Sequence, residues 1–445
     1  MLTRRKLAVS TAAFALAAGF TGAAYAQQKT VVEFWHGLPQ PLGGQLEQVV
    51  KGFNDSQDKV QVNPTFKGSY PETMQAAIAA FRAGNAPHVV QMFEVGTATM
   101  LSAGPAIKPV HQLMSETGSG LDAAAYIPAV RGYYSSKDGK MMALPFNSST
   151  TITFYNKDAF QKAGLDPNKP PATWPEVADA ARKLKAAGVT CPMTFSWPTW
   201  TQFEQVGALH DKPFASEANG FGGLNATLKI NDPFFVKHLQ TLIDLQKEGA
   251  LRYGGRDNAA DSLFPSGECA MIQASSGLRG RIVKEAKFAW GAAPLPYWPD
   301  AIASPKNSII GGAAFWVMTS PKRTADEYKA VAAFFSYLAR PEVDAKWHMD
   351  TGYVPVTLQG FELAKKEGFY DKNPGAEVPA EQLTRTATTE NTMGLRLGNL
   401  PEIRNIIQEE MERAFQGQQT AQQALDNAVK RGDTVLRNFE RANKN

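Results

Sequence analysis

Apolar residues recur along this chain with two alternating periods. Val31-Val32-Glu33-Phe34-Trp35, Val60 to Phe66 and His88 to Phe93 are short runs rich in β-branched and aromatic residues, which predicts strands. Between them, Gln45 to Phe53 carries its apolar residues at helical spacing, and Ser69-Tyr70-Pro71-Glu72 is a capping box that opens a helix through Arg82. The alternation resumes after residue 150. Thr173-Trp174-Pro175-Glu176 caps a helix to Lys185, Val189 to Phe195 and Ala270 to Gln273 read as strands, and Thr324-Ala325-Asp326-Glu327 opens a helix to Leu338. A strand over Ile309 to Met318 is interrupted by Gly311-Gly312. The tail is helical, with Ile403, Ile406, Ile407, Met411 and Phe415 on one face and Ala421 to Phe439 continuing the pattern. Strands alternating with helices predict an α/β fold with mostly parallel sheets covered on both faces, here in two blocks joined by chain crossings.

The amino terminus follows a different rule. Arg4, Arg5 and Lys6 precede an uncharged, Ala-rich stretch from Leu7 to Phe20, and Ala24-Tyr25-Ala26 has the small residues that signal peptidase requires. We expect cleavage after Ala26 and export to the periplasm. Removing residues 1–26 takes away three positive charges and no negative ones, so the formal net charge falls from +4 to +1. The remaining Lys and Arg are interspersed with acids, which gives no footprint for nucleic acid. Cys191 and Cys269 are the only cysteines, and the sequence leaves open whether they pair or stay buried as free thiols.

Motifs for catalysis are sparse. The six histidines show no H-E-x-x-H or H-x-H spacing, and there is no Walker loop and no G-x-S-x-G elbow. We therefore expect no metal, no cofactor and no enzymatic activity. Small, polar and aromatic residues instead gather at element ends, where open α/β sheets bind ligands. These include Phe146 to Thr150, Glu94 to Thr97, Ser275-Ser276-Gly277, Gly311-Gly312 and Trp197-Pro198-Thr199-Trp200.

At these residues the sequence resembles the glycerol-3-phosphate-binding branch of the extracellular solute-binding proteins of ABC importers, a family that includes the maltose-binding proteins. The matching runs include Phe34-Trp35-His36, Glu94 to Met100, Pro145 to Thr150, Tyr155 to Phe160, Ala274 to Gly277, Ile309 to Ala313, Thr351-Gly352-Tyr353 and Met393 to Pro401. The resemblance implies a type II periplasmic binding protein fold, two hinged lobes with a ligand cleft between them. It implies a first lobe over 27–145, a second over 146–290, a return to the first over 291–340, and a second-lobe segment with the C-terminal helices over 341–445. The ligand would be sn-glycerol-3-phosphate, with glycerophosphocholine as a second, and the partner an ABC permease of two membrane subunits with a cytoplasmic ATPase. The protein itself would be a monomer.

Carried over by motif, the pocket would comprise Tyr70, Glu94, Ser149, Trp197, Ser275, Gly312, Tyr353 and Arg396. Arg396 would present its planar fork of donors to the phosphate. Ser275 would face the ligand at a helix N-terminus while Ser276 takes the cap. Glu94 would accept from glycerol hydroxyls, Ser149 would offer a hydroxyl and Gly312 a backbone N–H, Trp197 would cover the carbon face, and Tyr70 and Tyr353 would donate phenols. Gly37-Leu38-Pro39-Gln40-Pro41 departs from the family, which is more acidic there. A sugar-binding receptor and an extracellular glycerophosphodiester-processing enzyme are the alternative readings.

Overall fold

The computed structural model describes residues 29–444; the leader and its cleavage site lie outside them. Ten strands run Thr30–His36 (β1), Val60–Phe66 (β2), Val89–Phe93 (β3), Ile107–Lys108 (β4), Leu144–Ser149 (β5), Thr151–Asn156 (β6), Cys191–Phe195 (β7), Cys269–Ser275 (β8), Trp290–Ala293 (β9) and Gly311–Met318 (β10). They form two sheets. One runs β2-β1-β3-β10-β4 with β5 also on β10, and the other runs β7-β8-β6-β9. Among the described residues no helix is long and apolar enough to cross a membrane.

The expected elements form where the pattern placed them. In β1 the residues Val32, Phe34 and His36 turn inward and alternate with more exposed neighbours, as a pleated strand with one buried face requires. The helix Leu42–Asp55 buries Gly43, Leu46, Val50 and Phe53, one stripe at helical spacing. Glu72 reaches back to the Ser69 N–H at 2.6 Å to start the helix Tyr70–Arg82. The same box closes at Thr173 and Thr324, where Glu176 and Glu327 accept from the cap N–H at 3.0 and 2.6 Å. The last helix, Ala421–Asn443, buries Ala424, Leu425, Ala428, Leu436 and Phe439.

The sheets are not mostly parallel. Only β1 with β2 and β3, and β7 with β8, run parallel; β10 is antiparallel to β3, β4 and β5, and β6 is antiparallel to β8 and β9. The reason is topological. β5 ends in the first sheet and β6 begins two residues later in the second, so this segment crosses between sheets without an intervening helix, and β10 returns from the second sheet. The chain changes sheet at Thr150 and again between Ala293 and Gly311. Gly311 and Gly312 open β10 rather than interrupt a longer strand.

These crossings are tied to each other. Thr150 Oγ1 donates to Ser308 Oγ at 2.7 Å. Gln205 spans the second crossing, donating to the Ile309 carbonyl at 2.9 Å and accepting from the Ile309 N–H at 3.1 Å. The Val354 N–H donates to the Ser148 carbonyl at 2.7 Å and brings in a third strand of chain. Ser149, Gly312 and Tyr353 therefore converge where the lobes join.

Cys191 and Cys269 are bonded, which settles the pairing. They stand directly opposite each other in the parallel pair β7–β8.

Candidate ligand-binding site

A cavity of about 350 Å³ opens between the sheets and takes its walls from both. Seven of the eight residues expected there line it: Tyr70, Glu94, Ser149, Trp197, Ser275, Gly312 and Tyr353. Gly37 to Leu42 and Phe66 also line it, so the Leu-Pro-Gln-Pro run is part of the cavity wall.

Each wall residue is held by a traceable local cause. A hydrogen-bond chain starts at the Gly37 N–H, which donates to Gln91 Oε1 at 2.9 Å; Gln91 Nε2 donates to Asn147 Oδ1 at 2.8 Å, and Asn147 Nδ2 donates to the Tyr70 hydroxyl at 2.8 Å. Tyr70 thus accepts from the protein and keeps its own proton to donate. Burial pushes the Tyr70 phenol well above its ordinary range and the Tyr353 phenol up to about 12, so both remain protonated donors. Tyr353 stacks on Trp347 with centroids 5.8 Å apart and planes at 8°. Gly277 makes room for it, since a Cβ there would lie 2.9 Å from the Tyr353 ring.

Gly312 has φ +97°, and a Cβ would fall 1.8 Å from the Asn147 carbonyl, so only glycine fits where β10 and β5 close at the hinge. Trp197 adopts φ +51°, a conformation that costs a bulky residue energy and that persists where surroundings impose it. Its N–H donates to the Asp257 carbonyl at 2.6 Å and its ring lies 6.2 Å from that of Tyr70. A π-turn over Trp200–Glu204 follows and turns Trp200 into the same cavity. Ser275 is itself the cap of the turn Ser276–Leu278, accepting from the Gly277 N–H at 3.2 Å. That corrects the expected division of labour, because the Ser276 hydroxyl is buried without a partner.

Arg396 is not brought to the cavity. Its Nη2 donates to the carbonyls of Gly132 and Tyr133 at 3.2 and 2.8 Å, and its guanidinium lies 4.3 Å from the centre of the Phe221 ring. Its own N–H, donating to the Asn219 carbonyl at 2.9 Å, fixes the backbone so that the side chain runs along the helix Pro128–Tyr133 instead.

The cavity's buried cation is Arg404, which sequence reasoning missed. Its Nε and Nη2 donate to the two oxygens of Glu204 at 2.7 Å each, and Nη2 also donates to Glu94 Oε1 at 2.8 Å. Nη1 takes part in none of these bonds. Burial works against the Arg404 charge, but Glu204 and Glu94 outweigh it and hold its pKa above the ordinary arginine value. Burial raises the Glu94 carboxyl despite the pull of Arg404. A signal for Arg404 did exist in the sequence. It stands four residues after Leu400, three before Ile407 and seven before Met411, a charge on the apolar stripe of the helix Leu400–Phe415.

Set against known proteins, the chain matches the family described as bacterial extracellular solute-binding protein over residues 48–377. It is 46% identical over 430 residues to the sn-glycerol-3-phosphate-binding periplasmic protein UgpB of Yersinia pseudotuberculosis, covering 96% of this chain and 97% of that one. Over 433 residues it is likewise 46% identical to UgpB of Escherichia coli O1:K1, covering 97% and 98%. Among solved structures, UgpB from Mycobacterium tuberculosis in complex with glycerophosphocholine aligns with a TM-score of 0.77 at 23% identity, over 92% of this chain and 99% of that one. The GacH receptor of Streptomyces glaucescens aligns with a TM-score of 0.75 at 19% identity, over 93% and 100%, and shares the two-lobed fold. The chain therefore belongs to the bacterial extracellular solute-binding protein family.

Proposed function

We propose that this protein is the periplasmic capture subunit of an ABC importer, binding sn-glycerol-3-phosphate and glycerophosphodiesters such as glycerophosphocholine and passing them to a membrane permease driven by a cytoplasmic ATPase. The observation that carries the reading is Arg404, a buried guanidinium on the cavity wall with Nη1 uncommitted. A phosphoryl group leaving water needs charge-assisted donors to replace its hydration, and a guanidinium supplies them in a fixed plane. The Ser149 and Ser275 hydroxyls add neutral donors on the same cavity wall, and Gly312 leaves its backbone open to approach. When the phosphate draws Arg404, Glu94 is freed to accept from the glycerol hydroxyls. Trp197 covers the carbon chain, and Tyr70 and Tyr353 donate from their phenols.

The lobes would close over the ligand by bending at the crossings, and the protein would release the ligand chemically unchanged. A thermal-shift panel of glycerol-3-phosphate, glycerophosphocholine, glycerol, phosphate and maltose tests the assignment. Ligands that bind only the folded state raise the melting temperature, so the first two should shift it and glycerol and maltose should not. A shift with maltose alone would move the protein to the sugar receptors.

A further inference from the structure

The cavity wall contributed by the second sheet holds a carboxylate that the phosphate reading leaves unused. Asp261 lines the cavity beside Asn258, Trp197 and Leu278, and its Oδ1 is buried with no hydrogen-bond partner. The other two carboxylates on the wall have protein donors, Glu72 the Ser69 N–H at 2.6 Å and Glu94 the Arg404 guanidinium at 2.8 Å. Arg281 also lines the cavity, but its Nε donates to both oxygens of Glu285, at 3.0 and 2.9 Å. The Ser196 hydroxyl and the Arg281 guanidinium both ease the Asp261 charge, yet no donor reaches Oδ1 within hydrogen-bond distance, and the Ser196 hydroxyl is itself buried without a partner. Burial lifts the Asp261 carboxyl to about 6 against the opposing pull of Ser196 and Arg281.

A buried acceptor of this kind is costly unless something donates to it. Phosphate cannot, being anionic itself. Glycerol hydroxyls are already provided for by Glu94 in the reading above. We propose that Asp261 receives the primary ammonium of an ethanolamine head group, so that the site prefers glycerophosphoethanolamine to glycerophosphocholine. The inference rests on the proposed binding of glycerophosphates. Choline is a quaternary ammonium with no N–H; it offers charge to the aromatic wall but leaves Asp261 Oδ1 unsatisfied. The cavity volume of about 350 Å³ leaves room for a head group beyond the phosphate. Its wall sets three carboxylates against two guanidiniums, a balance better suited to a zwitterionic diester than to a dianionic monoester.

The test is calorimetric titration of glycerol-3-phosphate, glycerophosphoethanolamine and glycerophosphocholine into the parent and Asp261→Asn. A hydrogen bond to a charged group is worth about tenfold or more in affinity. The parent should bind the ethanolamine diester about tenfold more tightly than the choline diester. Asp261→Asn should abolish that preference and, by taking an anion off the wall, leave glycerol-3-phosphate bound at least as tightly as by the parent. Equal or weaker binding of the ethanolamine diester by the parent overturns the proposal without any variant being needed, and so does a preference that survives in Asp261→Asn. Failure of all three ligands to bind the parent removes the ligand class and this subsite together, whereas binding of glycerol-3-phosphate with no ethanolamine preference removes the subsite alone.

Discussion

Replacing Arg404 by alanine should weaken glycerol-3-phosphate binding by roughly thirty-fold to several thousand-fold, the equivalent of about 2–5 kcal/mol for a truncated, hydrogen-bonded buried charge partner. The size follows from the wall composition. Arg404 is a buried cation, and the neutral donors around it are each worth only about 1 kcal/mol. Arg404→Lys should recover part of the loss, since an ammonium keeps the charge but cannot hold Glu204 by two bonds and reach the ligand in one plane. The truncation also strands Glu94 and Glu204 as buried carboxylates, so stability should fall as well, and titrations belong at a temperature where circular dichroism shows the variant folded. Arg396→Ala is the control. Its guanidinium holds the Gly132 and Tyr133 carbonyls outside the cavity, so its removal should leave affinity within about threefold. If Arg396→Ala abolished binding and Arg404→Ala did not, the phosphate would have to be placed elsewhere.

Opening the bond between Cys191 and Cys269 should be the largest single loss of stability unrelated to ligand. The bond closes a loop with a sequence separation of 78, and the loss of chain entropy in the unfolded state corresponds to about 4.5 kcal/mol. It also fastens the far end of β7 to β8, the strand that delivers Ser275 to the cavity. Thermal unfolding of the Cys191→Ala/Cys269→Ala double variant should come several degrees below the parent, and the parent in dithiothreitol should match the variant. An unchanged midpoint in both would mean that the second lobe holds β7 and β8 together without the bond. Binding at low temperature should persist, because neither cysteine lines the cavity.

Local rules made most of the elements legible. The capping boxes at Ser69, Thr173 and Thr324 mark helix starts that depend only on neighbours three residues away, and the strands β1, β2 and β3 announce themselves by composition. Strand direction was less legible, since it is decided by crossings such as Ser149-Thr150-Thr151 that have no local signature. The same distinction runs through the site. Tyr70, Glu94, Ser149, Ser275, Gly312 and Tyr353 lie at element ends, where small or polar residues stand out in the sequence.

Arg404 hides inside a helix, and its role depends on Glu94 and Glu204, which are 310 and 200 residues away along the chain. Arg396, two residues before Gly398-Asn399, had the more conspicuous setting and a different task. The apolar stripe of the helix Leu400–Phe415 held the clue, because a charge placed there must find buried partners or a ligand.

The central claim is that a phosphorylated glycerol is held between two lobes and handed on intact. It is tested most directly by titrating the protein with glycerol-3-phosphate and with glycerophosphocholine in a calorimeter, then taking phosphorus NMR spectra of the recovered ligands. Saturable binding of one ligand per chain is expected, with spectra identical to those of the starting compounds. Absence of heat from both ligands, or the appearance of free phosphate or of glycerol-3-phosphate released from the diester, would contradict it.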